Sequence, residues 1–181
     1  MEKPKVATIS LAGCFGCHMS LLDIDDRILK LIDLVEFHKS PITDIKEFTS
    51  QCLVGLIEGG CANEENVHVL QTFRKNCDIL VSIGECATMG GLPAMRNPIP
   101  LKECLDEAYL SGITVYNPNG QIPNDPEIPL LLNRVYPCHE VVKIDYYIPG
   151  CPPSADTLWE FLVALLSNKP IELPYNLIKY D

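Results

Sequence analysis

The sequence predicts an α/β fold: a doubly wound, mostly parallel sheet of flavodoxin-like type. Three observations carry that prediction. Short, continuous apolar runs recur at residues 6–11, 52–57 and 77–84, with a last one ending at Ile148. Segments with apolar residues at three- and four-residue spacing lie between and after them. Gly- or Pro-rich loops follow the runs. Strands that are apolar throughout are buried on both faces, and alternation with helices marks parallel βαβ units.

The elements follow in order. Val6-Ala7-Thr8-Ile9-Ser10-Leu11 reads as a buried strand broken by Gly13 and Gly16. From Cys17 a helix is expected, with Leu21, Ile24, Ile28, Leu31 and Val35 on one face. A short extended run over 35–42 stops near Pro41. Residues 52–57 form a second buried strand ending at Glu58-Gly59-Gly60. Asn63 is a good N-cap for the next helix, with Glu64 and Glu65 in its first turn and Arg74 and Lys75 in its last, as the helix dipole favours. Residues 77–84 are a third strand, leading to Cys86. Residues 89–100 read as an irregular Gly/Pro-rich loop. A short helix is expected from Pro100 through Leu110, and a brief strand over 113–116. A proline-rich surface loop spans 117–129. A last strand is expected over 140–148, then a helix capped by Ser154 with Leu158, Phe161, Leu162, Leu165 and Leu166 on one face. Residues 1–167 are read as one domain and 168–181 as an extended tail packed on a partner.

Bulk properties narrow the function. The 181 residues suffice for one domain with a substantial core, and 47% hydrophobic with 21% charged residues is ordinary globular composition. The net charge of −10 disfavours nucleic acid, because few cations face a phosphate backbone. It equally disfavours an anionic membrane surface. No apolar run is long enough to cross a bilayer, and no leader precedes the first strand, so a cytoplasmic location is expected. Nine cysteines is a high count. In a reducing compartment such residues bind metal, react or lie buried more often than they form disulfides.

Four of the nine follow strands: Cys14-x-x-Cys17, Gly84-Glu85-Cys86 and Pro149-Gly150-Cys151-Pro152-Pro153. The carboxyl ends of parallel strands form one rim, where ligands bind. Four thiolates delivered there suit an iron–sulfur cluster, or a tetrahedral zinc. The prolines around Cys151 make a rigid ligand arm. Any single cysteine could be plain core, since free cysteine is among the most buried residue types. A Cys-x-x-Cys pair alone would also fit a thioredoxin-like redox site, which would leave Cys86 and Cys151 unexplained. Cys52 and Cys77 begin strands and read as core, as do Cys104 and Cys138. Cys61 lies on the ligand rim and is read as a bystander. Glu58, a carboxylate ending an apolar strand, is read as ordering the cysteine loop, relaying protons or capping a loop. Glu85 beside Cys86 would tend to lower a cluster's potential. His18 is read as a core or surface histidine. No Ser-His-Asp set, phosphate loop or G-x-G-x-x-G is present, and no catalytic residue is assigned. FMN could occupy the rim of such a sheet, but no motif supports it.

At these residues the chain resembles the small, electron-transferring subunits of NiFe hydrogenases, and most of all the short form of NAD-reducing soluble hydrogenases. The markers are Leu11-Ala12-Gly13-Cys14-Phe15-Gly16-Cys17, Ile57-Glu58-Gly59, the stretch Gly84-Glu85-Cys86 to Asn97, and the stretch from His139 to Pro153. The resemblance implies Cys14, Cys17, Cys86 and Cys151 as ligands of a 4Fe-4S cluster, with the nickel–iron centre in a separate large subunit. Longer members have an export leader and a C-terminal extension with further clusters, so one cluster is expected here. Adjacent cysteines mark the related respiratory complex I subunit, and the Cys14-x-x-Cys17 spacing favours the hydrogenase branch. The implied partners are the large subunit and the iron–sulfur and flavin subunits of a diaphorase that reduces NAD⁺. Sulfhydrogenases and deazaflavin-reducing hydrogenases are alternatives within electron transfer. A zinc-stabilised interaction module is the alternative of another class.

Overall fold

The computed structural model describes residues 3–167 and 169–178. Its centre is a parallel sheet of five strands: β1 (Lys5–Ser10), β2 (Glu36–Phe37), β3 (Cys52–Glu58), β5 (Cys77–Ile83) and β7 (Tyr146–Ile148). They lie in the order β2-β1-β3-β5-β7. Renumbered within the sheet alone this is 2-1-3-4-5, the flavodoxin-like order, so the expected fold class holds. Chain direction across the sheet reverses between β1 and β3, and ligands of such sheets bind above that point. The register Val6↔Val54 through Ser10↔Glu58 brings both strands to the rim together. Glu58 is level with Ile83 of β5, so three strands end at one height.

The alternating faces of β3 and β5 feed two core layers. Leu56 and Ile83 join Leu21, Ile24, Leu31, Leu158 and Phe161 on one side. Ile57 and Leu80 join Leu70, Phe73, Ala87 and Cys138 on the other. The first layer lies under α1 (Gly16–Leu22), α2 (Arg27–Leu34) and α6 (Ala155–Leu166), the second under α3 (Glu64–Asn76) and α4 (Gly84–Met89). Arg74, in the last turn of α3, fastens the second layer. Its guanidinium donates to Asp145 Oδ2 at 2.6 Å and to the carbonyls of Cys77 and Asp78, both at 2.7 Å.

Asn63 and Ser154 cap their helices as expected, accepting from the N–H groups of Asn66 at 2.8 Å and Thr157 at 3.2 Å. Four expectations need correction. The helix after Cys17 is two helices, because Asp25 turns left-handed (φ 54°) between them. A short polar side chain tolerates that conformation. Leu21, Ile24, Leu31 and Val35 are buried regardless, so the apolar face was right and its continuity was not. The last strand covers only Tyr146–Ile148, with a 3-10 turn at Cys138–Glu140. Residues 113–116 form no strand, and Ile113 and Tyr116 are exposed. The loop after Met89 contains a 3-10 helix at Leu92–Arg96.

A two-stranded antiparallel ribbon had no sequence signal: β4 (Cys61–Asn63) with β6 (Leu131–Tyr136). The short helix after Pro100 is α5 (Leu101–Asp106), followed by a π-helical turn at Glu107–Ser111. In the tail, Ile171 and Leu173 pack on this chain's own core, and Thr157 Oγ1 donates to the Leu177 carbonyl at 2.6 Å. Asn168 and residues 179–181 lie outside the described residues. No helix among the described residues is long and apolar enough to cross a membrane.

Candidate metal centre

Backbone contacts place the first cysteine loop across the end of β3. Leu11 N–H donates to the Glu58 carbonyl at 2.8 Å, and Ala12 and Gly60 exchange two bonds of 2.9 Å. So close an approach excludes a side chain at Gly59 (φ +85°), where a Cβ would lie 2.7 Å from the Leu11 carbonyl carbon. Cys14 is exposed above this crossing, and Cys17 is buried in the first turn of α1. Phe15 between them is left-handed (φ 67°), and its ring stacks on His18 with centroids 4.5 Å apart.

The buried Glu58 carboxylate ends β3 beneath this loop. Its Oε1 accepts from Cys17 N–H at 3.2 Å and its Oε2 from His18 N–H at 3.1 Å, while His18 Nδ1 also bonds Oε2. A buried carboxylate is costly unless hydrogen-bonded, and these partners satisfy it. Ordering of the cysteine loop is therefore what Glu58 does in the structure, and His18 is a buried residue bonded to it rather than a surface histidine.

Cys86 arrives from β5 by an abrupt strand-to-helix turn at Gly84 (φ +80°). Cys151 follows β7 and is exposed, with a cis peptide bond to Pro152. The two loops are tied together: Glu85 N–H donates to the Gly150 carbonyl at 3.0 Å, and Gly150 N–H donates to Glu85 Oε1 at 2.8 Å. Ser20 of α1 donates to the Pro153 carbonyl, linking the Cys17 helix to the Cys151 loop.

The four cysteines share one electrostatic site. Burial pushes the Cys17 thiol well up, and negative charge on Glu58, Cys86, Cys14 and Cys151 adds to the rise. Cys86 is raised first by burial, against the Leu92 N–H, and then by Cys151, Cys14 and Glu58. Glycines face two of the sulfurs. A Cβ on Gly84 would collide with Cys17 Sγ, and one on Gly91 (φ +51°) would lie 2.9 Å from Cys86 Sγ. Among the described residues, no three His, Cys, Asp or Glu side chains close around the position of one metal ion.

The other cysteines stand apart. Cys52 and Cys77 are buried and in register on neighbouring strands. Burial, then the nearby Cys52, push Cys77 up to about 12. Cys61 and Cys138 are buried together in the second core layer, and the hydrogen bond with Cys61, then burial, push Cys138 up. Cys61 thus follows the ligand-rim turn in sequence yet faces the opposite core layer from Cys17. Cys104 lies in α5, partly exposed. The Glu85–Gly150 tie and the Ser20 bond had no sequence signal, because they depend on which loops the topology brings together.

A flavodoxin-like sheet that carries cysteines on three loops at its carboxyl-end rim defines a class of cysteine-rimmed α/β subunit. The chain belongs to the family described as NADH ubiquinone oxidoreductase, 20 Kd subunit, whose pattern matches residues 14–165. It falls in that family's hydrogenase branch. It is 49% identical over 180 residues to the NAD-reducing hydrogenase HoxS subunit delta of Cupriavidus necator, covering 99% of this chain and 86% of that one. It is 39% identical over 176 residues to a subunit of the F420-non-reducing hydrogenase of Methanothermobacter thermautotrophicus, covering 96% of this chain but only 56% of that one. Among solved structures, a chain of an NAD⁺-reducing [NiFe]-hydrogenase in the H₂-reduced state superposes with a TM-score of 0.96 at 48% identity, covering 99% of this chain and 100% of that one. The chain is thus a hydrogenase small subunit, part of an oxidoreductase complex, and membership implies iron–sulfur chemistry and a nickel–iron site in that complex.

Proposed function

We propose that this chain is the electron-relay subunit of a cytoplasmic NAD-reducing NiFe hydrogenase, with Cys14, Cys17, Cys86 and Cys151 holding one 4Fe-4S cluster. The observation that supports this most is the placement of the four cysteines on loops at one rim of the sheet, near enough that Cys14, Cys86 and Cys151 all act on Cys17, with Gly84 facing the sulfur of Cys17 and Gly91 that of Cys86. A tetrahedral zinc needs four sulfurs about 2.3 Å from one point. A 4Fe-4S cluster needs a wider cradle, because each iron takes its own cysteine. Among the described residues no three His, Cys, Asp or Glu side chains close on one metal position, which suits the wider cradle.

When bound, the cluster supplies one-electron transfer between the large subunit's nickel–iron site and the diaphorase module. The chain's own residues do the positioning. Glu58 holds the backbone of Cys17, Glu85 holds Gly150 beside Cys151, and Ser20 joins the first loop to the last. The large subunit would cover the rim where Cys14 and Cys151 are exposed, together with the neighbouring apolar side chains Met89, Leu92 and Met95. The iron–sulfur and flavin subunits of the diaphorase complete the assembly, with the tail after residue 167 contributing a partner contact beyond its packing on this chain. The 49% identity to a subunit of an NAD-reducing enzyme favours NAD⁺ as acceptor over the alternatives.

The test is Cys86→Ser in the purified complex. H₂-dependent NAD⁺ reduction should be lost, while NADH oxidation by an artificial dye persists. Iron, sulfide and zinc per chain check the cofactor: about four irons and four sulfides attributable to this chain are expected. Stoichiometric zinc without sulfide would overturn the assignment.

A further inference from the structure

A chain of buried polar side chains runs from the cysteine loop along β1 and away from the rim. Glu58 bonds His18 Nδ1. His18 Nε2 lies 2.9 Å from Thr8 Oγ1, and Thr8 Oγ1 lies 2.6 Å from Ser40 Oγ. All four residues are at most 2% exposed. Thr8 sits in a strand that is otherwise largely apolar, where valine would have nearly the same shape and a strong strand preference. A hydroxyl there has a polar reason.

The direction of the chain follows from its donors. Ser40 Oγ already accepts from Ile42 N–H at 3.3 Å. If Ser40 donates to Thr8, Thr8 to His18 Nε2 and His18 Nδ1–H to Glu58, every polar hydrogen has an acceptor. The reverse sense leaves the buried Ser40 hydroxyl hydrogen without one among the described residues. The hydrogen-bond pattern therefore assigns the Nδ1–H tautomer to His18. That tautomer presents a donor to Glu58, whose oxygens hold the N–H groups of Cys17 and His18. Stacking on Phe15 fixes the ring plane, but leaves the choice between its two flips about the Cβ–Cγ bond to the hydrogen bonds.

We propose that Thr8, anchored by Ser40, is a positioning residue for the cysteine loop: it fixes the tautomer and rotation of His18, and through His18 and Glu58 the backbone at Cys17. The proposal rests on the cluster assignment above, and it concerns two residues, Thr8 and Ser40, that are buried in this chain. Groups behind a metal ligand commonly set its orientation and thereby the metal's properties. Hydrogen bonding around the ligands is one of the factors that set a cluster's potential.

The experiment compares Thr8→Val, Thr8→Ser, Ser40→Ala and the Thr8→Val/Ser40→Ala double variant in the purified complex. Iron and sulfide per chain, the midpoint potential and the electron paramagnetic resonance spectrum of the reduced cluster are read for each. Thr8→Val should shift the potential and alter the spectrum, and Thr8→Ser should restore both. Ser40→Ala should move them the same way by less. The double variant should match Thr8→Val, because a residue acting only through Thr8 adds nothing once Thr8 is changed. A wild-type potential and spectrum in Thr8→Val overturn the proposal, and so does additivity in the double variant. Should Thr8→Val fail to fold, Ser40→Ala still decides: a wild-type spectrum there overturns the proposal. Wild-type complex whose chain holds no iron or sulfide removes the cluster assignment and this proposal together, a result separate from a loaded cluster that ignores Thr8.

Discussion

Glu85 and Gly150 are bonded twice, backbone to backbone at 3.0 Å and side chain to backbone at 2.8 Å. One lies beside Cys86 and the other beside Cys151, so the loops that carry two thiols from different strands are tied together. The sequence shows Glu85 only as a charge beside a cysteine. In the structure its carboxylate is a strut.

Glu85→Ala removes the strut's side-chain half and leaves the N–H of buried Gly150 without its partner. A bond to a charged group contributes about 1.5–3 kcal/mol. The expected result is lower iron and sulfide content after purification, and faster cluster loss during incubation with a chelator. Glu85→Gln, which keeps an accepting oxygen, should fall between. Equal loss rates for all three forms would show that the strut does not hold the loops.

Gly84→Ala should strike the site directly. The added Cβ runs into Cys17 Sγ, and φ +80° is a conformation L residues avoid. The backbone strain alone is about 1–2 kcal/mol. Iron per chain should drop to a small fraction of wild type, and the melting temperature should fall. A variant that loads iron normally would mean the thiol has room to move aside.

Asp145 makes stability depend on acid pH. Burial tends to raise its pKa, but the Leu80 N–H and the Arg74 guanidinium outweigh burial and hold the carboxyl below its ordinary 3.8. A depressed carboxyl pKa adds stability that is complete above the unfolded value and is lost as pH falls through the folded value. Asp145→Asn should therefore melt lower than wild type at neutral pH, by several degrees for a loss of about 2 kcal/mol. The gap should close below pH 3.8. Melting curves from neutral pH down to about pH 2 check the sign. A gap that widens with acid contradicts it.

Leu92 and Met95, each 70% exposed, stand on the short helix that follows Cys86 and Gly91. Leu92→Asp with Met95→Lys should leave the chain folded and its iron content intact, but reduce recovery of the large subunit on co-purification by roughly tenfold or more, as buried charge at an interface commonly does. Undiminished recovery would place the docking surface elsewhere.

The parallel sheet was legible because its strands are buried on both faces and so read as continuous apolar runs. Helix α3 was legible because its cap and terminal charges are local. The break between α1 and α2 was hidden: Leu21, Ile24 and Leu31 keep the spacing of one helix, and only a left-handed Asp25 interrupts it. β6 was hidden for the opposite reason. Half exposed and paired only with three residues of β4, it lacks a pattern that separates it from the proline-rich loop before it. At the candidate centre, the four cysteines stood out through their positions after strands. Thr8, Ser20 and Ser40 did not, since a lone hydroxyl gains meaning only when folding brings its partner within about 3 Å.

Cys17 is buried at the back of the site while Cys14 and Cys151 stand open at the front. On the proposed cluster assignment, iron and sulfide would reach the inner thiol from that open side, the side a large subunit would close. Assembly on that reading would fill the chain first and dock it second, leaving the cofactor shielded on one face only between the two events.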